Sequence, residues 1–122
     1  MTRILYVDDE ADIREVAQMS IELDPALEVR TCSSGPEALA EAAVWRPDLI
    51  LLDVMMPGMD GPTVFARLKE RSDMAGIPVV FITARTHAHE VAAFRDLGAR
   101  GVIAKPFDPM RLAERVREFL GD

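Results

Sequence analysis

The sequence predicts an α/β fold built on a parallel sheet, and three observations carry that expectation. Five short apolar runs, near residues 3–7, 27–32, 49–53, 78–82 and 101–104, are separated by segments with helical periodicity. Alternation of this kind lays strands side by side with helices on the sheet faces. The runs Leu49-Ile50-Leu51-Leu52 and Val79-Val80-Phe81-Ile82 are apolar throughout, as strands buried on both faces must be. Four runs also end in polar residues: Ile4-Leu5-Tyr6-Val7 enters Asp8-Asp9-Glu10, Leu52 is followed by Asp53, Ile82 by Thr83, and Val102-Ile103-Ala104 by Lys105. In a parallel sheet all carboxyl ends lie on one edge, so Asp8, Asp9, Asp53, Thr83 and Lys105 are expected to converge there.

The helices follow in order. In the first gap Ile13, Val16, Ala17, Ser20 and Leu23 form one apolar face, and Asp24-Pro25 ends the helix. The second helix opens at Ser34-Gly35-Pro36-Glu37, a capping-box spacing, and closes before Arg46-Pro47. Gly61-Pro62 starts the third, with Phe65 and Leu68 pointing inward, and Gly76-Ile77-Pro78 separates it from the next strand. Val91, Ala92, Phe94 and Leu97 are the expected buried face of the fourth helix, closed by Gly98. Asp108-Pro109 reads as cap and first helical position of the last helix, whose stripe is Leu112, Val116, Phe119 and Leu120.

A chain of 122 residues, 49% hydrophobic, fits one domain, and no repeat, linker or low-complexity tract divides it. No apolar run approaches the ~18 residues that span a bilayer. The first residues run directly into a strand without a signal-peptide pattern, so a cytoplasmic location is expected. The single cysteine, Cys32, has no internal disulfide partner and sits in a strand as a small hydrophobe. Acidic side chains outnumber basic ones 21 to 14, a net charge of −7, which disfavours binding to a phosphate backbone.

Adjacent carboxylates at Asp8 and Asp9, joined by Asp53, repel one another unless protonated or bridged by a cation. A hard cation with oxygen ligands answers this, and Mg²⁺ takes one or two carboxylates while keeping waters for a phosphate-bearing substrate. Lys105 adds positive charge, and the Thr83 hydroxyl can donate to a phosphoryl oxygen. The array suits phosphoryl transfer to Asp53, a carboxylate nucleophile that would become an aspartyl phosphate. Taken singly, Asp8 or Asp9 would be a helix cap, Thr83 another, and Lys105 a solvated lysine; their joint occurrence makes the site. Met55, Met56 and Met59 read as core filler. His87 and His89, two apart, do not share a helix face and are expected to face solvent. Arg95, Arg100, Arg111, Arg115 and Arg117 form either a solvated basic face or a docking surface.

The motifs Asp8-Asp9, Leu52-Asp53-Val54-Met55-Met56-Pro57-Gly58-Met59-Asp60-Gly61, Thr83-Ala84 and Lys105-Pro106-Phe107 resemble those of the receiver domains of two-component response regulators, in order and over essentially the whole chain. The resemblance implies a receiver (response regulatory) domain over residues 1–122. Its sheet would be doubly wound, of order 2-1-3-4-5, in a flavodoxin-like three-layer sandwich. Asp53 would be the phosphoacceptor, and Asp9, Asp53 and the Met55 backbone carbonyl direct Mg²⁺ ligands, with Asp8 reaching the metal through water. Thr83 would be the switch hydroxyl, Lys105 the phosphoryl-contacting lysine, and Lys105-Pro106 a cis peptide bond. The donor would be a phosphohistidine on a sensor histidine kinase or a histidine phosphotransfer protein, and the output a downstream protein or a fused effector. Such a module is not a conventional enzyme but assists its own phosphotransfer and dephosphorylation, as a monomer or a phosphorylation-dependent dimer. One position departs from the family pattern: Val102 stands where most receivers carry tyrosine or phenylalanine, a ring that swings inward as the threonine moves.

Three other readings compete. A Mg²⁺-dependent phosphatase of haloacid-dehalogenase type would want an aspartate two positions after Asp53, where Met55 stands. A flavodoxin-like carrier or nucleotide binder would want a phosphate cradle after the first strand, where Asp8-Asp9-Glu10 stands instead. A degenerate receiver acting only as a scaffold would lack phosphorylation residues, and here each expected one is present.

Overall fold

Apolar residues alternate along the strands and give each face of the sheet its own core. In the computed structural model, which describes residues 1–121, the element order is β1 (Thr2–Val7), α1 (Ala11–Glu22), β2 (Leu27–Cys32), α2 (Gly35–Trp45), β3 (Leu49–Asp53), α3 (Gly61–Lys69), β4 (Val79–Thr83), α4 (Ala88–Asp96), β5 (Gly101–Ala104) and α5 (Leu112–Leu120). Asp122, the last residue of the expected domain, lies outside the described residues. The five strands are all parallel in the order β2-β1-β3-β4-β5, as the resemblance implied. Leu5, Val7, Ile50, Leu52, Val79 and Phe81 face Ala38, Ala42 and Trp45 of α2 and Val64, Phe65 and Leu68 of α3. Ile4, Tyr6, Leu49, Leu51, Val80, Ile82 and Ile103 face Ala17 and Ile21 of α1 and Leu112 and Val116 of α5. Each such aliphatic side chain contributes about 1.5–3 kcal/mol by leaving water, so the two layers hold the sheet rigid beneath its carboxyl edge.

The strand register fixes what meets at that edge. Val7 pairs with Cys32 on one side and Leu52 on the other, Asp53 with Ile82, and Thr83 with Ala104. The first strand therefore lies between β2 and β3, and the connections leave in opposite directions from it, which opens a crevice where β1 and β3 end.

Some local expectations need correction. On α1 the buried residues are Ala17, Ser20 and Ile21, whereas Val16 is 41% and Leu23 63% exposed. The short Ala17–Ile21 step along one ridge is what fits the sheet, and Val16 and Leu23 fall to its flank beside Pro109 and Met110. No residue of α4 is buried. Ala92 and Leu97 of its expected face are exposed, only Val91 and Phe94 of that face are half-buried, and Phe94 packs against the core. The last helix starts at Leu112, four residues after Asp108. The Asp108 carboxylate accepts from Met110 N (2.9 Å) and its carbonyl from Arg111 N (3.0 Å), so it caps a preceding turn and not the helix. The second helix keeps its expected start: Ser34 Oγ accepts from Glu37 N, while the Glu37 carboxylate bonds to Ser33, one residue before the cap. The fourth strand ends on Thr83 itself. His87 and His89 are exposed, as expected, with their rings stacked 6.0 Å apart.

Candidate functional site

Asp53 is the last residue of β3, and its backbone is fixed from both sides of the strand end: Val54 N donates to Ile82 O at 3.1 Å, and Gly61 N donates to Val54 O at 2.9 Å. The return of the chain at Gly61 is so close that a Cβ there would stand 2.5 Å from the Asp53 carbonyl oxygen. Only glycine permits that approach, and Asp60, one residue earlier, caps α3 by accepting from Thr63 N at 2.9 Å. The loop that frames Asp53 is thus tied at both ends.

Asp8 is fully buried. Its carboxylate accepts from Tyr6 Oη (3.1 Å), from Glu10 N (2.9 Å) and from Lys105 Nζ (3.0 Å), while Arg14 donates to its carbonyl. The same ammonium reaches Asp53 Oδ2 and Glu10 Oε1, each at 3.4 Å. Lys105 directly follows the last residue of β5, and its bond to Pro106 is cis. Thr83 is buried at the end of β4, and its Oγ1 accepts from Arg85 N at 3.0 Å, which leaves the hydroxyl proton to donate elsewhere. Glu10, Asp53, Met55, Thr83, Arg85 and Lys105 line a cavity of about 230 Å³.

Charge is concentrated here. Carboxylate oxygens of Asp8, Asp9 and Asp53 lie within 4.8 Å of one another, with Asp9 exposed and the other two buried. Burial pushes the Asp53 carboxyl up to about 6, the Asp8 charge adds to the rise, and Lys105 works against it. For Lys105, burial alone would lower the ammonium, but the hydrogen bond to Asp8 and the charges of Asp53, Asp8 and Glu10 prevail and raise it. Tyr6 is held protonated well above its ordinary range by burial and by Asp8. One ammonium shared among three carboxylates leaves a net negative, all-oxygen donor set, and that chemistry fits a hard divalent cation such as Mg²⁺.

The residues expected to converge from four separate strand ends do converge: Asp8, Asp9, Asp53, Thr83 and Lys105 all lie at one sheet edge, with Met55 on the cavity wall. Residues 4–117 match the response regulator receiver domain. This chain belongs to that family.

The receiver is 47% identical over 117 residues to the response regulator PleD of Caulobacter vibrioides, covering 94% of this chain and 25% of PleD. It is 38% identical to the DNA-binding response regulator MtrA of Mycobacterium tuberculosis, covering 94% of this chain and 49% of MtrA. It therefore spans between a quarter and a half of these relatives. Among solved structures, the chemotaxis response regulator CheY4 of Vibrio cholerae superposes with a TM-score of 0.89 at 32% identity, over 98% of both chains. The family is a signalling module of two-component systems. Among the described residues no helix is long and apolar enough to cross a membrane.

Two neighbours of the site escaped sequence reasoning. Glu10 belongs to the acidic end of the first strand in sequence, and only the fold brings it to Lys105, 95 residues away. Tyr6 looks like one more apolar strand residue, and no pattern marks its hydroxyl as a support for Asp8.

Proposed function

We propose that this receiver accepts a phosphoryl group on Asp53 from a phosphohistidine and that the aspartyl phosphate switches its binding to a partner. The observation that carries the reading is the Lys105 ammonium seated between Asp8 and Asp53, beside a buried hydroxyl and an all-oxygen donor set. Asp9, Asp53 and the Met55 carbonyl would hold Mg²⁺ directly, and Asp8 through water. The bound ion supplies positive charge to the phosphoryl oxygens and relieves the repulsion among the carboxylates.

In the step itself an Asp53 carboxylate oxygen bonds to phosphorus as the P–N bond to the donor imidazole breaks, and the departing imidazole takes up a proton. Lys105 and the Thr83 hydroxyl hold the phosphoryl oxygens that are not reacting. Hydrolysis by water returns the Asp53 carboxylate and inorganic phosphate, so the module assists both its own phosphorylation and its own dephosphorylation. The fold supplies positioning and charge, with no conventional turnover of substrate.

The donor is a sensor histidine kinase or a histidine phosphotransfer protein. The output is a downstream protein or an effector fused to this domain, and MtrA, named as DNA-binding, illustrates the second. The domain spans residues 1–122, acts in the cytoplasm and does not itself bind nucleic acid. It works as a monomer or as a dimer formed on phosphorylation.

Incubation with acetyl phosphate and Mg²⁺ should add one hydroxylamine-labile phosphoryl group by intact mass, and EDTA should prevent it. Calorimetric titration of Mg²⁺ should show a greater loss of affinity in Asp9→Ala than in Asp8→Ala. No added mass in wild type, or equal gain in EDTA, would refute the reading.

A further inference from the structure

Glu10 occupies the N-cap of α1, where serine, threonine, aspartate and asparagine are the effective choices, and its side chain makes no capping bond. Only its backbone serves the turn, donating to Asp8 Oδ1. The carboxylate instead crosses the mouth of the cavity to Lys105 Nζ at 3.4 Å, with its side chain 59% exposed. Its carboxylate thus neither caps the helix nor belongs to the Asp8, Asp9 and Asp53 cluster of candidate metal ligands.

We propose that Glu10 is a positioning residue of the phosphoryl pocket: it tethers the Lys105 ammonium at the rim and sets the negative potential through which an anionic phosphoryl donor must enter. The inference rests on Asp53 being the phosphoacceptor. In the resting state Lys105 is drawn toward three carboxylates at once, two on the floor and one at the rim. Lys105 must turn from carboxylates to phosphoryl oxygens as the donor arrives, and the tether to Glu10 resists that turn. The rim charge acts in the same sense on the donor, since one unit charge about 7 Å away in a water-like medium changes encounter by about threefold. Glu10 therefore slows capture of small, fully charged donors. A protein donor that brings positive charge to the rim is disfavoured less.

Two measurements on the full chain test this. The chain has two lysines, Lys69 and Lys105. Acetic anhydride labelling of metal-free, unphosphorylated protein, read by peptide mass with Lys69 as internal reference, should show Lys105 modified faster in Glu10→Gln than in wild type. Unchanged labelling would overturn the tether. Second, the phosphorylation rate with acetyl phosphate and Mg²⁺ should rise by at least about threefold in Glu10→Gln at low salt, and the gain should largely vanish at 0.5 M salt, where the screening length is roughly 4 Å. Glu10→Asp, which keeps the charge, should phosphorylate near the wild-type rate. Glu22→Gln makes the same change of net charge at the far end of α1, roughly 18 Å along the axis, and should have no effect. A slower or salt-independent Glu10→Gln, or an equal gain from Glu22→Gln, would overturn the gate. Asp53→Ala separates the two levels: phosphorylation persisting in that variant defeats the phosphoacceptor reading, while the labelling result speaks to Glu10 alone.

Discussion

The ring of Phe94 rests on the ring of Phe81, 4.8 Å between centroids and tilted by 38°, and Phe81 in turn meets Phe65 edge-on at 5.6 Å. Phe81 lies two residues before Thr83 on β4, so this aromatic row joins α3, β4 and α4. It stands beside Val102, which is half-buried against the same core. Phe94 also walls a groove of about 760 Å³ that Thr83, Met55 and Arg85 share. An aromatic side chain therefore stands next to Thr83, but it is carried by α4 and not by β5.

Signal transmission should accordingly depend on Thr83 and Phe94 more than on position 102. Valine has one χ angle and cannot swing into vacated space as a ring does. Hydrogen exchange of α4, compared with and without beryllofluoride, should change in wild type and in Val102→Ala but much less in Thr83→Ala and Phe94→Leu. In partner binding by the activated form, Val102→Ala should cost well under ~1.4 kcal/mol, a tenfold change, and Thr83→Ala more. The opposite ranking would return the switch to position 102.

Gly61→Ala should move the reactive carboxylate without touching it chemically. Its Cβ would stand 2.5 Å from the Asp53 carbonyl oxygen and 3.0 Å from Val54 Cα, so the loop must shift. Overpacking of this kind costs about 1–3 kcal/mol. Thermal unfolding should show that loss, and the acetyl phosphate reaction should slow more than in Gly76→Ala, where a Cβ meets nothing within 4 Å.

Asp53 gives a signed pH dependence in metal-free buffer. Its folded carboxyl titrates near 6 against an ordinary 3.8, so the folded chain holds the proton more tightly than the unfolded chain. Stability therefore falls as pH rises through the window from about 3.8 to 6 and is flat, as far as this group is concerned, above and below it. Asp53→Asn should be more stable than wild type at pH 7 in EDTA by about 1–2 kcal/mol, less than the ~3 kcal/mol of a site sealed from solvent. The difference should shrink as pH drops and disappear below pH 4. A constant difference across that range would contradict the assignment.

Trp45 should report poorly on Mg²⁺ or phosphorylation. It is buried at the end of α2, with Arg3 and Arg30 over its ring, and precedes β3, whereas Asp53 ends that strand. The ends of the strand are about 13 Å apart. Strong quenching on adding Mg²⁺ would contradict this geometry.

The sheet and the identity of the polar strand ends were legible because both follow from one-dimensional patterns: apolar runs such as Leu49–Leu52 are strands, and whatever follows them sits at the carboxyl edge. Helix faces were less legible where burial is shallow. Val16 and Leu23 are apolar at helical spacing, yet tertiary packing chose Ala17 and Ile21, and α4 carries an apolar pattern that the fold leaves largely in solvent. Asp108 has the sequence signature of a helix cap yet closes a turn, because one cap chemistry serves turns and helices alike. Contacts between distant positions, such as Lys105 with Glu10 or Arg117 with Asp24, leave no mark in local sequence. They arise only once β1, α1, β5 and α5 are brought together.

The assignment on which the rest depends is that Asp53 alone carries the phosphoryl group. Borohydride reduces an aspartyl phosphate to homoserine, so treating the acetyl phosphate product and sequencing its peptides by mass spectrometry locates the modified residue directly. Homoserine should be found at position 53 in wild type, in a yield that requires Mg²⁺, and at no position in Asp53→Ala. Homoserine at position 8, 9 or 60, or its formation in Asp53→Ala at the wild-type yield, would contradict the assignment.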